Sequence, residues 1–527
     1  MNPKHVIYLS VGLLIICALL SFVLNDCIGN DAAGYYVPMV ELFAEGKYDL
    51  AFNPMIPPLV PLLGGIVASV LPVSGFMALK MVSTFFMLLG VIPMYQLAKR
   101  LVPDDQAVWA CALYAICSQV IRFGITAQLT SAKLFLVLWL IERCISVFER
   151  ATPARIITMS LAMALLGLCR TEGIFYLFFV MITLVWVSFK MKDSWTQRIK
   201  KTFVAWCILV GTLLFIWSPW LAYEYQATGY VVLDSRQTGV VKALQSLVRA
   251  KTESQTVVLE SSVPILNNTP RDIDAQTITT KLYETVDGFY IPYLPLVAIG
   301  LVGLWKQKRW GYLEAWLLGA ACFNVLVIWA ASTQGAPVLK RYIFPSALLV
   351  MPYAVLGWTL VRAWLVGKRT ATLRFWTILA LCIVVTVSVA DGLKHVVDSL
   401  RGKYAVEKIN GLWLQAQGAE LDSHGASEAM RENLRFSQYT GRSLVVAAAF
   451  PQTACWAQAQ HVNIRRHVEK TFQELLNFCE MCGVDVLVVD RHVRQSTRGV
   501  DPNSPALVRL PHQAMKSDVE LFQLRFD

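Results

Sequence analysis

Three charged side chains stand where an apolar chain should avoid them. Asp31, in "NDCIGNDAAGYYVPM" (25–39), follows directly on the first apolar run. Arg170, in "GLCRTEGIF" (167–175), is wedged between two such runs, and Arg341, in "PVLKRYIFP" (337–345), stands where another begins. An arginine at membrane depth costs about 2.5–3.5 kcal/mol at a helix centre on insertion scales, so each needs a reason. Snorkelling to the headgroups is the plain reason for either one alone. Two guanidinium forks on one side, each beside a helix boundary, suit instead a phosphate lodged between helices. Lys340 adjoins Arg341, and Glu172 stands two residues from Arg170, where it either neutralises the arginine or orients it.

Asp31 adds a different chemistry. An ionised carboxylate beside those cations can take a proton from a hydroxyl nucleophile. Asp26, nearer the end of the run, reads as an exposed bystander. Arg236, in "VLDSRQTG", reads first as an ordinary loop arginine and second as a ligand contact. The Asp272-x-Asp274 pair in "RDIDA" has a spacing that holds a metal on nucleotide sugars. It lies in an outer polar loop where such sugars are not expected, so it reads as a solvated turn.

These residues must be positioned by a membrane scaffold. Of 527 residues, 56% are hydrophobic and only 16% charged, which excludes an ordinary soluble protein. Runs long enough to span occur near 6–24, 76–96, 106–121, 129–148, 156–169, 173–189, 203–222, 289–305, 311–332, 342–361 and 375–392, about eleven helices. The first is longer than a signal-peptide core and lacks a small-x-small cleavage site, so it reads as an anchor.

Lys and Arg set the orientation. With the N-terminus inside, the inner stretches hold Lys4, Lys99, Arg100, Arg150, Arg155, Lys190, Lys192, Arg198, Lys200, Lys201, Lys306, Lys308, Arg309, Arg362, Lys368, Arg369 and Arg374. The short outer stretches hold Lys47, Arg122, Lys133, Arg170, Lys340 and Arg341. The net charge of +11 is therefore mostly topogenic and calls for no nucleic-acid partner. The plasma (inner) membrane is the expected location, with the candidate site and the C-terminus outside.

Two outer loops, 25–75 and 223–288, exceed mere connectors. In the first, Tyr36, Met39, Val40 and Phe43 recur at helical spacing and predict a short interfacial helix. The prolines of "NPMIPPLVPLLGG" (53–65) then interrupt any regular helix. Trp220, Tyr223 and Tyr225 read as an aromatic belt. After the membrane part, 1–392, the tail, 393–527, changes character. "SLVVAAAF", "TFQELLNFCEMCG" and "VDVLVVD" read as strand, helix and strand of a small parallel α/β domain, and "VELFQLRFD" as an added edge strand. It has no glycine-rich phosphate fingerprint, so it reads as a scaffold or acceptor-docking domain. Cys479 and Cys482, with Cys455 and His461, make a weak zinc pattern; a disulfide or buried thiols fit better.

In that order, "GNDAAGYYVPMVELFAEGKYDLAFNPMIPPLVPLL", "GLCRTEG", "PW..YEYQATG", "KRYIFP" and "GVDVLVVD" resemble the landmarks of the GT-C superfamily. They are most similar to glycosyltransferase family 39, which includes protein O-mannosyltransferases and the aminoarabinose transferases of lipid A. The resemblance implies a polyprenyl-phosphate-linked sugar donor in the membrane and a glycan, lipid or protein acceptor outside it. It implies that Asp31 is the catalytic or acceptor-orienting carboxylate and that Arg170 and Arg341 lie near the donor phosphate; Lys340 is read as a further phosphate contact, and Glu172, Tyr35 and Arg236 as supporting residues. Many members follow the aspartate at once with a glutamate. Ala32 stands in that place here, which leaves a divalent metal without support. The expected reaction is inverting sugar transfer. The alternative is a transporter or lipid flippase, which would tend to show repeats, broken helices and ionisable groups at the midplane.

Overall fold

The computed structural model describes residues 3–25, 27–29, 31–52, 56–190, 194–228, 278–308, 310–332, 338–367 and 371–401, and, farther on, 445–448, 460–463, 472–481, 484, 486–489, 493, 507–510 and 520–524. Each of the eleven apolar runs falls on helix, the one at 173–189 on α11 (Leu177–Lys190) and the turn before it. Among the described residues six helices are long and apolar enough to cross a membrane, and up to eight if each of two bent pairs forms one span. One pair is α7 (Asp104–Ile116) with α8 (Ser118–Gly124), bent by 60° at Cys117, which is extended. The other runs from α13 (Ile278–Gly288) to α14 (Leu294–Lys306), bent by 63° beside Tyr290, whose φ of 59° is left-handed.

Two of the remaining three runs differ from a free-standing span for visible reasons. In α9 (Thr130–Glu149) Lys133, Glu142 and Arg143 interrupt the apolar side, and α10 (Pro153–Cys169) has only 17 residues. Lys133 and Glu142 are buried against protein instead. Arg100 of α6 (Val91–Leu101) reaches Glu142 at 2.7 Å and Glu149 at 2.9 Å.

The helix at the centre is α16 (Lys340–Gly367), with 83% of its most apolar window buried. By contrast α12 (Trp195–Thr228) and α15 (Tyr312–Ser332) bury 28% of theirs and turn apolar side chains outward, as lipid-facing helices do. Against α14 the central helix packs through glycine. A Cβ at Gly300 would lie 2.0 Å from Tyr353 O, and one at Gly357 would lie 1.9 Å from Leu296 O. Backbone cannot yield there as a side chain can. Gly357→Ala is therefore expected to cost about 1–3 kcal/mol through overpacking, read as a lower unfolding temperature of the detergent-solubilised protein.

The first loop is more compact than its sequence suggests. α1 (Pro3–Leu24) leads to a π turn, Ala32–Tyr36, which continues into α2 (Val37–Ala44) and the short α3 (Tyr48–Ala51). The predicted apolar side chains Tyr36, Met39, Val40 and Phe43 are buried, with α2 packed under α4 (Leu59–Val70). Gly64 and Gly65 let α4 close on Val40 and Phe43. The prolines do not exclude this helix. Pro57 and Pro58 precede it and Pro61 lies in its first turn, where no amide donor is needed. Trp220 is likewise buried rather than part of a belt, and Tyr223 ties α12 to the loop by donating to Phe52 O at 2.7 Å.

α17 (Ala371–Gly392) and α18 (Lys394–Leu400) close the helical body. In the tail, β1 (Val445–Ala448), β2 (Gln460–Asn463), α19 (Phe472–Met481), β3 (Val486–Val489), β4 (Leu507–Leu510) and β5 (Glu520–Leu524) are described. The sheet order is β2-β1-β3-β5-β4, with β2, β1 and β3 parallel and β5 antiparallel to both β3 and β4. The predicted edge strand is thus an inner one, because β4 pairs outside it. Leu475, Leu476 and Cys479 of α19 pack with Leu487 and Phe522 as a small core of their own. Cys479 is buried, while Cys455 and Cys482 lie outside the described residues.

Candidate active site

Asp31 opens the π turn, with Ala33 N donating to Gly29 O at 2.8 Å. Single π turns gather at functional sites because they re-aim one side chain without ending the helix. The approach to Asp31 is pinned from behind. Lys80, on α5 (Gly75–Leu89), is buried and donates to Ser21 O at 2.8 Å and Asn25 O at 3.0 Å. A cation there also suits the negative end of the α1 dipole. Cys27 N donates in turn to Asn25 Oδ1 at 2.9 Å. Lys80→Met removes a donor from both carbonyls, at an expected cost of about 1–3 kcal/mol. The same change should speed amide exchange at residues 25–33, measured by deuterium uptake.

Arg341 stands at the start of α16. That helix end is fixed by its neighbour, since Lys340 N donates to Glu284 Oε2 at 3.0 Å and Lys340 Nζ meets Asp287 Oδ2 at 3.0 Å. Arg341 Nη1 approaches Asp31 Oδ2 at 3.3 Å, Nη2 donates to Tyr342 Oη at 3.3 Å, and Nε is buried with no hydrogen-bond partner among the described residues. Arg170 ends α10 in extended backbone and holds Glu172 through two bonds, Nε to Oε2 at 3.1 Å and Nη2 to Oε1 at 3.3 Å.

The ring of Tyr342 gathers the cations. Arg341 Cζ lies 5.2 Å from its centroid, and Arg170 Cζ and Lys133 Nζ each lie 5.4 Å from it. A ring face attracts each of them by about 0.5–2 kcal/mol, more as water is excluded. Lys133, Arg170 and Arg341 face the two carboxylates Asp31 and Glu172, so one positive charge remains. An anion is what such a cluster lacks.

The Asp31–Arg341 pair is the exchangeable part. Its side chains are 50% and 31% exposed, a setting in which an ion pair contributes roughly 0–1 kcal/mol. A ligand phosphate can therefore replace Asp31 on Arg341 at small cost. Beside this pair opens a pocket of about 240 Å³, lined by Gly29, Asp31, Ala32, Gln128 and Arg341.

The structure thus brings Asp31 and Arg341 into contact and sets Arg170 against the same tyrosine as Arg341. It turns Lys340 to a different pair of acids, Glu284 and Asp287. Tyr35 is exposed on the π turn and makes no hydrogen bond or ring contact among the described residues. Arg236, Asp272 and Asp274 lie outside the described residues. Tyr342, Lys133 and Gln128 were not singled out from sequence. The usable signal for Lys133 was its place among the few outer cations, where it breaks the charge rule as Arg170 does.

The residues around Asp31 do not suit a divalent cation. Ala32 offers no second carboxylate, Asp31 faces a guanidinium, and Lys133 and Arg170 add positive charge. Among the described residues no three His, Cys, Asp or Glu side chains converge as ligands.

No family model and no curated protein sequence matches this chain. Its fold is similar to that of ArnT from Cupriavidus metallidurans. In the structure bound to undecaprenyl phosphate the TM-score is 0.59 at 12% identity, covering 99% of this chain and 98% of that one. For the apo state the TM-score is 0.57 at 13% identity, over the same shares. It is also similar to the archaeal oligosaccharyltransferase AglB from Archaeoglobus fulgidus, in complex with an inhibitory peptide and a dolichol-phosphate. There the TM-score is 0.52 at 12% identity, over 92% of this chain and 69% of that one. At such identities the likeness is one of fold.

Proposed function

We propose that this chain, whose fold is that of the GT-C membrane glycosyltransferases, moves a sugar from a polyprenyl-phosphate donor to an acceptor hydroxyl with inversion. The observation that carries the reading is the contact of Asp31 with Arg341, whose guanidinium shares Tyr342 with Arg170 and Lys133. A carboxylate able to take a proton stands at the rim of a cation cluster able to hold a phosphate. Both neighbouring enzymes have been seen with a polyprenyl phosphate bound, which supports a donor of that class.

In this mechanism the lipid enters sideways between helices and its phosphate takes Arg341 from Asp31. The acceptor hydroxyl, its proton passing to Asp31, attacks the anomeric carbon. The bond from that carbon to the phosphate oxygen breaks, and its electron pair stays on the phosphate. Arg341, Arg170 and Lys133 stabilise the charge that builds there, the usual electrostatic contribution to such a step. In-line attack needs the sugar ring between phosphate and base, so donor entry must part the 3.3 Å pair. Its exposure makes that parting cheap.

The inner-membrane location and the outward-facing site rest on the Lys and Arg asymmetry of the loops. The division at 392/393, with an acceptor-docking or scaffold role for the tail, belongs to the same reading. The test is purified protein with radiolabelled undecaprenyl-phosphate sugars and a crude envelope fraction as acceptor. Label moving into the fraction is the expected result; neither transfer nor donor binding would sink the reading. Because the cations around Tyr342 supply the positive charge, EDTA is expected to leave the rate unchanged in the same assay. A rate restored only by a divalent cation would remove Arg341 from its role.

A further inference from the structure

Resting on the glycosyltransferase reading, we propose that Gln128 is the residue that reads the donor sugar, and that the sugar is a single uncharged unit. Gln128 lies between α8 and α9 in a stretch whose main chain is clamped. Its N–H donates to Thr126 O at 2.8 Å and to Ser83 Oγ at 3.3 Å, and its C=O accepts from Ser83 Oγ at 2.8 Å. Ser83 is fully buried on α5, so the clamp belongs to the helical core rather than to a loop. With both main-chain groups engaged, the side-chain amide is what remains to act. It has no hydrogen-bond partner among the described residues, and it lines the pocket with Asp31 and Arg341.

The chemistry of the lining selects the ligand. An amide both donates and accepts and carries no charge, which matches a ring hydroxyl and does not match a phosphate. The smallest residues present, Gly29 and Ala32, complete the wall and leave width for a ring. Gly29 stands against the amide, since a Cβ there would lie 3.5 Å from Gln128 Nε2. At about 240 Å³ the pocket is below the ~300–1,000 Å³ of sites for drug-sized ligands, so it suits one sugar unit. It opens beside the Asp31–Arg341 pair, so once the pair parts a ring seated there lies against both the base and the phosphate-binding cation.

The test uses the full chain in nanodiscs with four lipids: undecaprenyl phosphate and its glucose, mannose and galactose derivatives. Wild type is expected to bind at least one sugar-bearing lipid more tightly than undecaprenyl phosphate. Gln128→Met keeps the side-chain volume and removes the hydrogen bonds. It should weaken that sugar-bearing lipid about five- to thirty-fold while leaving undecaprenyl phosphate within about twofold. Equal weakening of both lipids, or of neither, overturns the assignment, as does a wild type that binds all four alike. A wild type that binds none of the four overturns instead the glycosyltransferase reading on which the proposal rests.

Discussion

Asp31→Asn is expected to slow sugar transfer about 10²–10⁴-fold, the contribution of a positioned general base, with the protein still folded and the donor still bound. The direction of the binding change is what makes this informative. In the wild type Asp31 competes with the donor phosphate for Arg341 at 3.3 Å. Asparagine keeps the shape but gives up the charge, so donor affinity should hold or rise while kcat collapses. A carboxylate that merely fixed Arg341 in place would behave in the opposite way, losing donor affinity with kcat little changed. Stability offers a control. The pair is half exposed on the Asp31 side, so its loss should cost less than about 1 kcal/mol and leave the unfolding temperature nearly unmoved. Transfer by Asp31→Asn at the wild-type rate would end the catalytic assignment.

How much of this site was visible beforehand depended on which residues paid a local penalty. Arg170 and Arg341 stood out because a guanidinium beside an apolar run is costly wherever the chain then goes. Asp31 stood out by its place after the first run. Lys133 carries the same kind of charge, yet in sequence it is one lysine near the start of an apolar helix, where snorkelling accounts for it. Only the packing of α9 against α16 buries it beside Tyr342. The tyrosine itself follows Arg341 directly, but an aromatic at a membrane boundary is common, and its gathering of Lys133 and Arg170 from two other helices is tertiary. Gln128 has no signature at all, because its meaning lies in what Ser83 does to its backbone. The fold behaved similarly. Helices were readable from apolar length, while the burial of α2 under α4 depended on Gly64 and Gly65 meeting side chains some twenty residues away. The place of β5 inside the sheet depended on a partner strand, β4, that periodicity alone did not bring forward.

Arg341→Met tests the other half of the mechanism, and about 10²–10³-fold should be lost from kcat/KM, as for removing one donor that meets developing charge. Here both parameters should move, since the guanidinium binds the phosphate before the reaction and stabilises it more strongly as the bond breaks. Arg341→Lys separates charge from shape. An ammonium restores one positive charge but cannot serve Asp31, Tyr342 Oη and a phosphate from one planar fork, so it should recover only part of the loss. The tyrosine then discriminates between a cluster and a set of independent cations. Tyr342→Phe keeps the ring that Lys133, Arg170 and Arg341 share and drops the hydroxyl that Arg341 donates to, so a loss of only about threefold is expected. Tyr342→Leu removes the ring, and three like charges then repel with nothing between them. Its loss should approach that of Arg341→Met, and combining the two should cost far less than the product of the single effects, because residues of one cluster are not additive. Full additivity in that double mutant would mean that Tyr342 and Arg341 act separately, and the phosphate site built around the ring would have to be abandoned.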